Sequence, residues 1–173
     1  MTTLHATSTY NVEASLNAWF KAKANGVTIP LLTAPYTFEF NFTGKPIAPP
    51  CFSTNHAQIS RANAYQGRGL GATEHGVSAS NLMDISAWVL KADGNSWQGR
   101  LRQMAGIVEA VFASPASIQL TDYTTPGTPA AVTYKVNLME YTAISTAEDN
   151  ANPGIWRFRA QIRYEWTLRT NVS

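Results

Sequence analysis

Residues 155–169 read IWRFRAQIRYEWTLR, and this stretch is the strongest indication of the fold. From Trp156 onward every second residue is apolar and the residues between them are polar or charged. Such alternation is typical of a β-strand with one face in the core and the other in solvent. The apolar set is Trp156, Phe158, Ala160, Ile162, Tyr164, Trp166 and Leu168, and the polar set includes Arg157, Arg159, Arg163 and Arg169. We predict a strand that anchors the core and carries a ladder of four arginines on its other face.

Two other segments have the periodicity of amphipathic helices. In the first, Asn11 is the predicted N-cap and Asn25-Gly26 the predicted left-handed end. The second spans residues 97–112, follows a cap at Asn95 or Ser96, and ends at Ser114-Pro115. The first apolar stripe is Val12, Leu16, Trp19 and Phe20, and the second is Trp97, Leu101, Met104, Ile107, Val108, Val111 and Phe112.

The remaining strand patterns complete the fold class. They lie at residues 36–42, 52–62, 82–91, 118–123 and 132–145. We expect the first two to form a hairpin, and we expect 82–91, which is apolar on both faces, to be central in the sheet. The prediction is an α+β fold with a mixed, mostly antiparallel β-sheet of about five to six strands and two helices packed on one face.

The chain length favours a single domain over residues 1–173. The segment 66–81 is rich in glycine, serine, alanine and threonine and poor in large apolar residues. That composition predicts a long flexible loop within the domain.

The composition indicates which classes of partner are expected. Charged residues make up 14% of the chain and apolar residues 45%, so we expect part of the exterior to be covered by other protein surfaces. A net charge of +2 is too small for a dedicated nucleic-acid binder.

Cys51 is the only cysteine, which excludes an intrachain disulfide and favours a reducing compartment. Residues Met1–Tyr10 lack the apolar core of a signal peptide, and no segment is apolar enough to span a membrane.

Motifs that would indicate catalysis or cofactor binding are weak. The glycines of 67–71 do not follow a strand and open a helix, and Gly44-Lys45 precedes Pro46 where a P-loop needs Ser or Thr. No Gly-x-Ser-x-Gly elbow is present. The candidate metal ligands do not have the spacing of a metal site; they are His5, His56, His75, Cys51 and Glu74. We therefore expect no enzyme, no cofactor and no metal.

The arginine ladder points to a protein interface instead. Arginine carries a rigid guanidinium that pairs with carboxylates across interfaces, whereas solvated strand faces usually mix Thr, Lys and Glu. The predicted interface residues are Arg157, Arg159, Arg163 and Arg169, together with Arg68 and Glu74 of the glycine-rich segment.

The order of elements, together with the closing strand Gly154-Ile155-Trp156-Arg157-Phe158-Arg159-Ala160-Gln161-Ile162-Arg163-Tyr164, resembles the tail terminator proteins of tailed bacteriophages. The resemblance implies a virion structural protein that is assembled in the host cytoplasm and forms a ring, expected to be hexameric. Such a ring caps the tail tube, ends its polymerisation and joins the tail to the connector or neck of the head. The implied partners are further copies of the chain, the tail tube protein and the head-tail connector, with at most non-specific contact to DNA in the ring and no role for a membrane or cofactor.

Three alternatives to the terminator remain open. One is another ring-forming tail or neck component, such as a tube subunit or a head-tail adaptor. A second is a carbohydrate-binding β-rich module, because aromatic stripes also bind sugars. An enzyme is the third.

Overall fold

The computed structural model describes residues 5–40, 48–61, 74–114, 116–124 and 127–171. It contains two helices and six strands, which confirms the predicted α+β class. In chain order the elements are α1 (Thr9–Asn25), β1 (Thr37–Phe40), β2 (Cys51–Arg61), β3 (Glu74–Leu90), a short 3-10 segment (Lys91–Ser96), α2 (Trp97–Phe112), β4 (Ser117–Asp122), β5 (Ala130–Glu148) and β6 (Ile155–Asn171).

The six strands form one sheet in the order β1-β2-β3-β6-β5-β4. Strands β3 and β6 pair antiparallel along their whole length, from Glu74 opposite Asn171 to Leu90 opposite Ile155. The prediction of a central strand at 82–91 is therefore confirmed, and the arginine-bearing strand lies directly beside it.

The predicted hairpin between residues 36–42 and 52–62 is wrong. Strand β1 runs parallel to β2, with Phe38 opposite Phe52, although the two strands are neighbours in sequence as well as in the sheet. An alternating pattern identifies the buried face of a strand but not its direction, because both directions bury the same residues. The two rings stack at 5.4 Å on the helix side of the sheet. Residues 41 and 42 of the first predicted strand lie outside the described residues.

The predicted loop at 66–81 is wrong from residue 74 onward, because residues 74–81 form the first part of β3. The small side chains of this part pack against large ones on β6: Ala79 faces Trp166 and Asn81 faces Tyr164, and all four residues are buried. Strand β6 supplies the large apolar side chains that residues 74–81 lack. The composition of residues 74–81 alone therefore does not predict that they form a strand. Residues 66–73 lie outside the described part of the chain.

Both helices pack on one face of the sheet, as predicted, and share a single core with it. Phe20 of α1 lies at the centre of this core, with its ring 5.6 to 5.7 Å from the rings of Phe38, Phe52 and Phe112. These contacts join α1 to β1, β2 and α2 at one point. Neither described helix is long and apolar enough to cross a membrane.

The ends of α1 differ from the prediction. Ser8, not Asn11, is the N-cap, and its hydroxyl accepts from the backbone N–H of Asn11 at 3.4 Å. Asn11 is instead fully buried, and its side chain bonds to the end of β4. The helix ends at Gly26 with φ −78°, so this glycine is not in the left-handed conformation.

Candidate interface on the outer sheet face

The sheet has an outer face, which we define as the side opposite α1 and α2. The register places three residues of β3 and three of β6 side by side on it: Asp84, Ser86 and Trp88 next to Gln161, Arg159 and Arg157. Ser53 and Asn55 of β2 continue the same rows. No described helix or strand packs across this face.

Asp84 organises the middle of the outer face. Its Oδ1 atom accepts from Arg159 Nη2 at 3.0 Å, from Arg159 Nε at 3.3 Å and from Gln161 Nε2 at 2.9 Å. The Asp84 and Arg159 side chains are both partly exposed. Arg159 therefore already has a carboxylate partner within the chain, and the pair holds its guanidinium in a fixed position.

Arg157 lies at one end of the outer face and has a different environment. Its guanidinium carbon is 5.0 Å from the ring centroid of Trp88, a cation–π contact. Trp88 is only 1% exposed, and its Nε1 donates to Ser53 Oγ at 2.7 Å, so the indole is a rigid support. Among the described residues, no carboxylate accepts from Arg157.

A shallow depression of about 230 Å³ lies beside Arg157. It is lined by Ser53, Thr54, Asn55, Asp84, Ser86, Arg157 and Arg159. The lining combines hydroxyl and amide groups with two guanidinium groups and one carboxylate. Because Asp84 pairs with Arg159, the positive charge of Arg157 is not balanced by a carboxylate of the lining. The depression can therefore accept an anionic group such as the carboxylate of an acidic side chain.

Arg163 is the most exposed of the predicted interface arginines on this face, with 48% of its side chain accessible. Its Nη2 contacts Glu165 Oε1 at 2.5 Å, and its Nε donates to Ser80 Oγ at 3.4 Å. An ion pair this exposed contributes little to stability, so Arg163 can exchange Glu165 for an acid on another molecule at small cost.

Arg169 does not belong to this cluster. Its backbone N–H donates to Thr7 Oγ1 at 2.7 Å, and its guanidinium lies 4.6 Å from the ring centroid of Tyr134. Trp166 Nε1 also donates to the carbonyl of Thr7, at 3.1 Å. Arg169 therefore helps to hold the segment that precedes α1 against the sheet.

The two predicted interface residues of the glycine-rich segment are not placed on the outer face. Arg68 lies outside the described residues, and Glu74 begins β3, where only its backbone is described. The structure thus brings together Arg157, Arg159 and Arg163 of the six predicted interface residues. Their role in an interface remains a prediction.

The sequence pattern did not indicate Asp84, Gln161 and Trp88 as members of this site. The signal was present in part, because Asp84 and Trp88 alternate with the buried residues Met83, Ile85, Ala87 and Val89. The register between β3 and β6 was the missing information, since only the pairing places Asp84 beside Arg159.

The helix side of the sheet contains a partly buried polar network around His56. Asn17 Oδ1 accepts from Thr54 Oγ1 at 2.8 Å and lies 3.1 Å from His56 Nε2. Because a carbonyl oxygen can only accept, Nε2 carries the proton and Nδ1 accepts from the Tyr164 hydroxyl at 3.1 Å. Burial lowers the pKa of His56 to about 4 and raises the pKa of Tyr164. Both groups are therefore neutral at pH 7, and the network joins α1 to β2 and β6.

The candidate metal ligands do not converge in the described ranges, where no group of three His, Cys, Asp or Glu side chains is placed to hold an ion. Cys51 is buried, with its Sγ 3.5 Å from Glu39 Oε1, and burial together with that carboxylate raises the pKa of the thiol. A thiol in this environment is a poor nucleophile at neutral pH.

No protein-family model matches the chain, and no curated protein sequence is significantly similar to it.

Proposed function

We propose that this chain is a ring-forming structural subunit of a bacteriophage tail, of the tail terminator type. The ring would cap the tail tube, end its polymerisation and join the tail to the head connector or neck. The resemblance in element order and closing strand supports this proposal, and the pairing of that strand with the central strand β3 is compatible with it.

The observation that carries the proposal is the composition of the outer face. Both helices pack on the opposite side, and no described helix or strand packs across the rows of Arg157 and Arg159, while Cys51, Trp88 and Ile155 at one end form a small buried cluster. The outer face carries Arg157, which is supported by the ring of Trp88, Arg159, which is held by Asp84, and the exposed Arg163. A guanidinium group that is already held in place loses little conformational entropy when it binds a carboxylate, which suits a surface that docks onto another protein.

The proposed partners are other copies of the chain, arranged as a ring that we expect to be hexameric, the tail tube protein and the connector. The proposed location is the neck or tail of the virion after assembly in the host cytoplasm. A net charge of +2 allows only non-specific contact with DNA that passes through the ring. The proposed role is structural, and it requires neither catalysis nor a cofactor.

A charge-reversal pair tests the role of the outer face in association. In the variant Arg157→Glu/Arg163→Glu, two cations of this face become anions, so we expect the concentration at which half of the chains are assembled to rise at least tenfold. The matched control is Lys21→Glu/Arg102→Glu, which changes the net charge equally at exposed positions on the two helices. Sedimentation velocity over a concentration series measures both variants.

The control variant should assemble within twofold of the wild-type concentration. Equal effects of the two pairs would mean that association responds only to net charge, and would contradict the assignment of the outer face. Circular dichroism establishes that both variants keep the wild-type content of helix and strand.

A further inference from the structure

Strand β5 is longer than the strand that covers it. Strand β4 pairs with β5 only as far as Asn137, opposite Ser117, and the N–H of Leu138 donates to the carbonyl of Ala116 at 2.8 Å. Beyond this point residues 139–148 pair with β6 on one side. No described strand pairs with their other side. We call residues 139–148 the β5 edge.

An exposed edge of this length is unusual, because its free N–H and C=O groups are a template for another strand. Natural proteins usually shorten, cover, charge or bulge such an edge. The β5 edge has two bulges, where the register with β6 shifts at Met139 and at Ile144. Both bulged residues are large and apolar, and they are 52% and 42% exposed. The edge thus combines unpaired backbone groups with apolar side chains in solvent.

A cavity of about 300 Å³ lies where the β5 edge begins, next to the end of α2. Tyr141 lines it, and the hydroxyl of Tyr141 is buried without a hydrogen-bond partner among the described residues. Burial and the charge of Glu109 raise the pKa of Tyr141 to about 12. A buried hydroxyl that lacks a partner destabilises the isolated chain. The other lining residues are Phe112, Ala113, Ser114, Leu138, Met139, Glu140 and Ile162.

The opposite end of the sheet has a second edge of matching character. Strand β1 is the last strand there and pairs with β2 alone among the described strands. Phe40, at its end, is 38% exposed. Of the five large apolar residues that are exposed in the described chain, three therefore lie on the two edges of the sheet: Phe40, Met139 and Ile144.

We propose that a neighbouring copy of this chain adds its β1 edge to the β5 edge, so that the sheet continues from one subunit to the next. This inference rests on the self-association in the proposed function and adds the sheet edges to the outer face as surfaces that contribute to it. The contact is heterologous, since it joins different edges of two copies, and heterologous contacts generate rings when the rotation between subunits closes.

Pairing of two β5 edges with each other is the main alternative, and charge disfavours one of its antiparallel registers. An antiparallel β5–β5 pair centred on Ile144 places Glu140 of each copy opposite Glu148 of the other. Like charges directly opposite each other on paired strands are destabilising. Strand β1 carries a single acidic residue, Glu39. A neighbouring β1 therefore cannot place two pairs of glutamates opposite each other, as two β5 edges do in the register centred on Ile144.

Substitution of Ile144 by Lys tests the inference, because a lysine on an exposed edge opposes strand addition without removing a buried contact. We expect Ile144→Lys to remain folded and to raise the dissociation constant for assembly at least tenfold. The matched control is Leu31→Lys, which places the same charge on another large apolar residue of similar exposure, 39%, in the connector after α1. It should change the constant by less than twofold. Similar constants for the two variants would overturn the inference.

Hydrogen exchange on the wild-type chain provides a measurement that needs no variant. Amides within 139–148 and 37–40 should exchange at least tenfold more slowly in the assembled protein than in the dilute monomer. Unchanged exchange at 139–148 on assembly would overturn the inference even if Ile144→Lys failed to fold.

The outcomes separate this inference from the proposed function. Rings that form without protection of the β5 edge would leave the function standing and reject the edge contact. Protection of both edges in open fibres would support the edge contact and reject the ring. A chain that stays monomeric at every concentration would reject both.

Discussion

His56 is an ionisable side chain whose pKa is lower in the folded chain than in the unfolded chain. Its ring lies between Asn17 of α1 and Tyr164 of β6, and burial lowers its pKa to about 4. In the unfolded chain the same group has a pKa near 6.5. The folded protein therefore excludes a proton that the unfolded chain binds between pH 6.5 and pH 4.

This difference predicts a pH dependence of stability. Between pH 6.5 and pH 4 the unfolded state holds more protons at His56, so the free energy of unfolding rises with pH and falls on acidification. The His56 contribution has a slope that approaches about 1.4 kcal/mol per pH unit and amounts to about 3 kcal/mol over the window. Urea denaturation at several pH values measures it.

The variant His56→Gln is the control for that measurement, because it removes the titrating group and keeps a side chain that hydrogen-bonds. Other groups titrate equally in both proteins, so the difference between the two curves isolates His56. Burial raises the pKa of the nearby Glu13, which gives a slope of opposite sign in both proteins and cancels in the difference. Parallel curves for the two proteins would show that His56 is not held in its neutral form.

At the scale of elements, α1 is attached to the sheet through Asn11 as well as through apolar contacts. Asn11 Oδ1 accepts from the backbone N–H of Tyr123 at 2.9 Å, and its Nδ2 donates to Asp122 Oδ1 at 3.1 Å. The N-cap bond from Ser8 is a separate and purely local interaction at the start of the same helix.

The two roles predict different costs of substitution. Asn11→Ala leaves the Tyr123 N–H without its acceptor and removes the contact between α1 and β4, so we expect a loss of about 2 kcal/mol in the free energy of unfolding. Ser8→Ala removes one long N-cap bond and should cost about 0.5 kcal/mol. The urea concentration at the midpoint of unfolding measures both losses, provided that the m-value of each variant equals that of the wild type. A larger loss for Ser8→Ala would mean that helix initiation, not the α1–β4 contact, sets stability here.

Elements that have a strong hydrophobic period were predicted well from the sequence. The closing strand and α2 bury most of the residues that their periodicity indicates, and β3 is central. Features that depend on pairing were not predicted. The alternation of Phe38 and Phe40 carried no information on strand direction, and the small residues of 74–81 became a strand only through their partners on β6. Asn11 was mistaken for a cap because its bond to β4 is a tertiary contact.

The same distinction holds for the candidate site. The alternation of residues 155–169 placed Arg157, Arg159 and Arg163 on one face, and the structure agrees. Their partners Asp84 and Trp88 come from another strand, so only the register reveals that Arg159 is paired within the chain while Arg157 has no described acid partner. The β5 edge could not be predicted from the sequence either, because it depends on where β4 ends relative to β5.

Over the whole molecule, all the described helices are on one side of the sheet, and we propose two kinds of surface for association. The outer face provides arginines, and the β1 and β5 edges provide backbone groups and exposed apolar side chains. A thinly charged exterior fits a subunit whose surface is partly covered after assembly.

We propose that these surfaces join copies of the chain into a closed ring. Negative-stain electron microscopy of the purified wild-type protein, imaged over a concentration series, tests this proposal. We expect discrete rings of one subunit number, six, that do not stack into longer tubes as concentration rises. Monomers throughout the series, or cylinders that grow without limit, would contradict it.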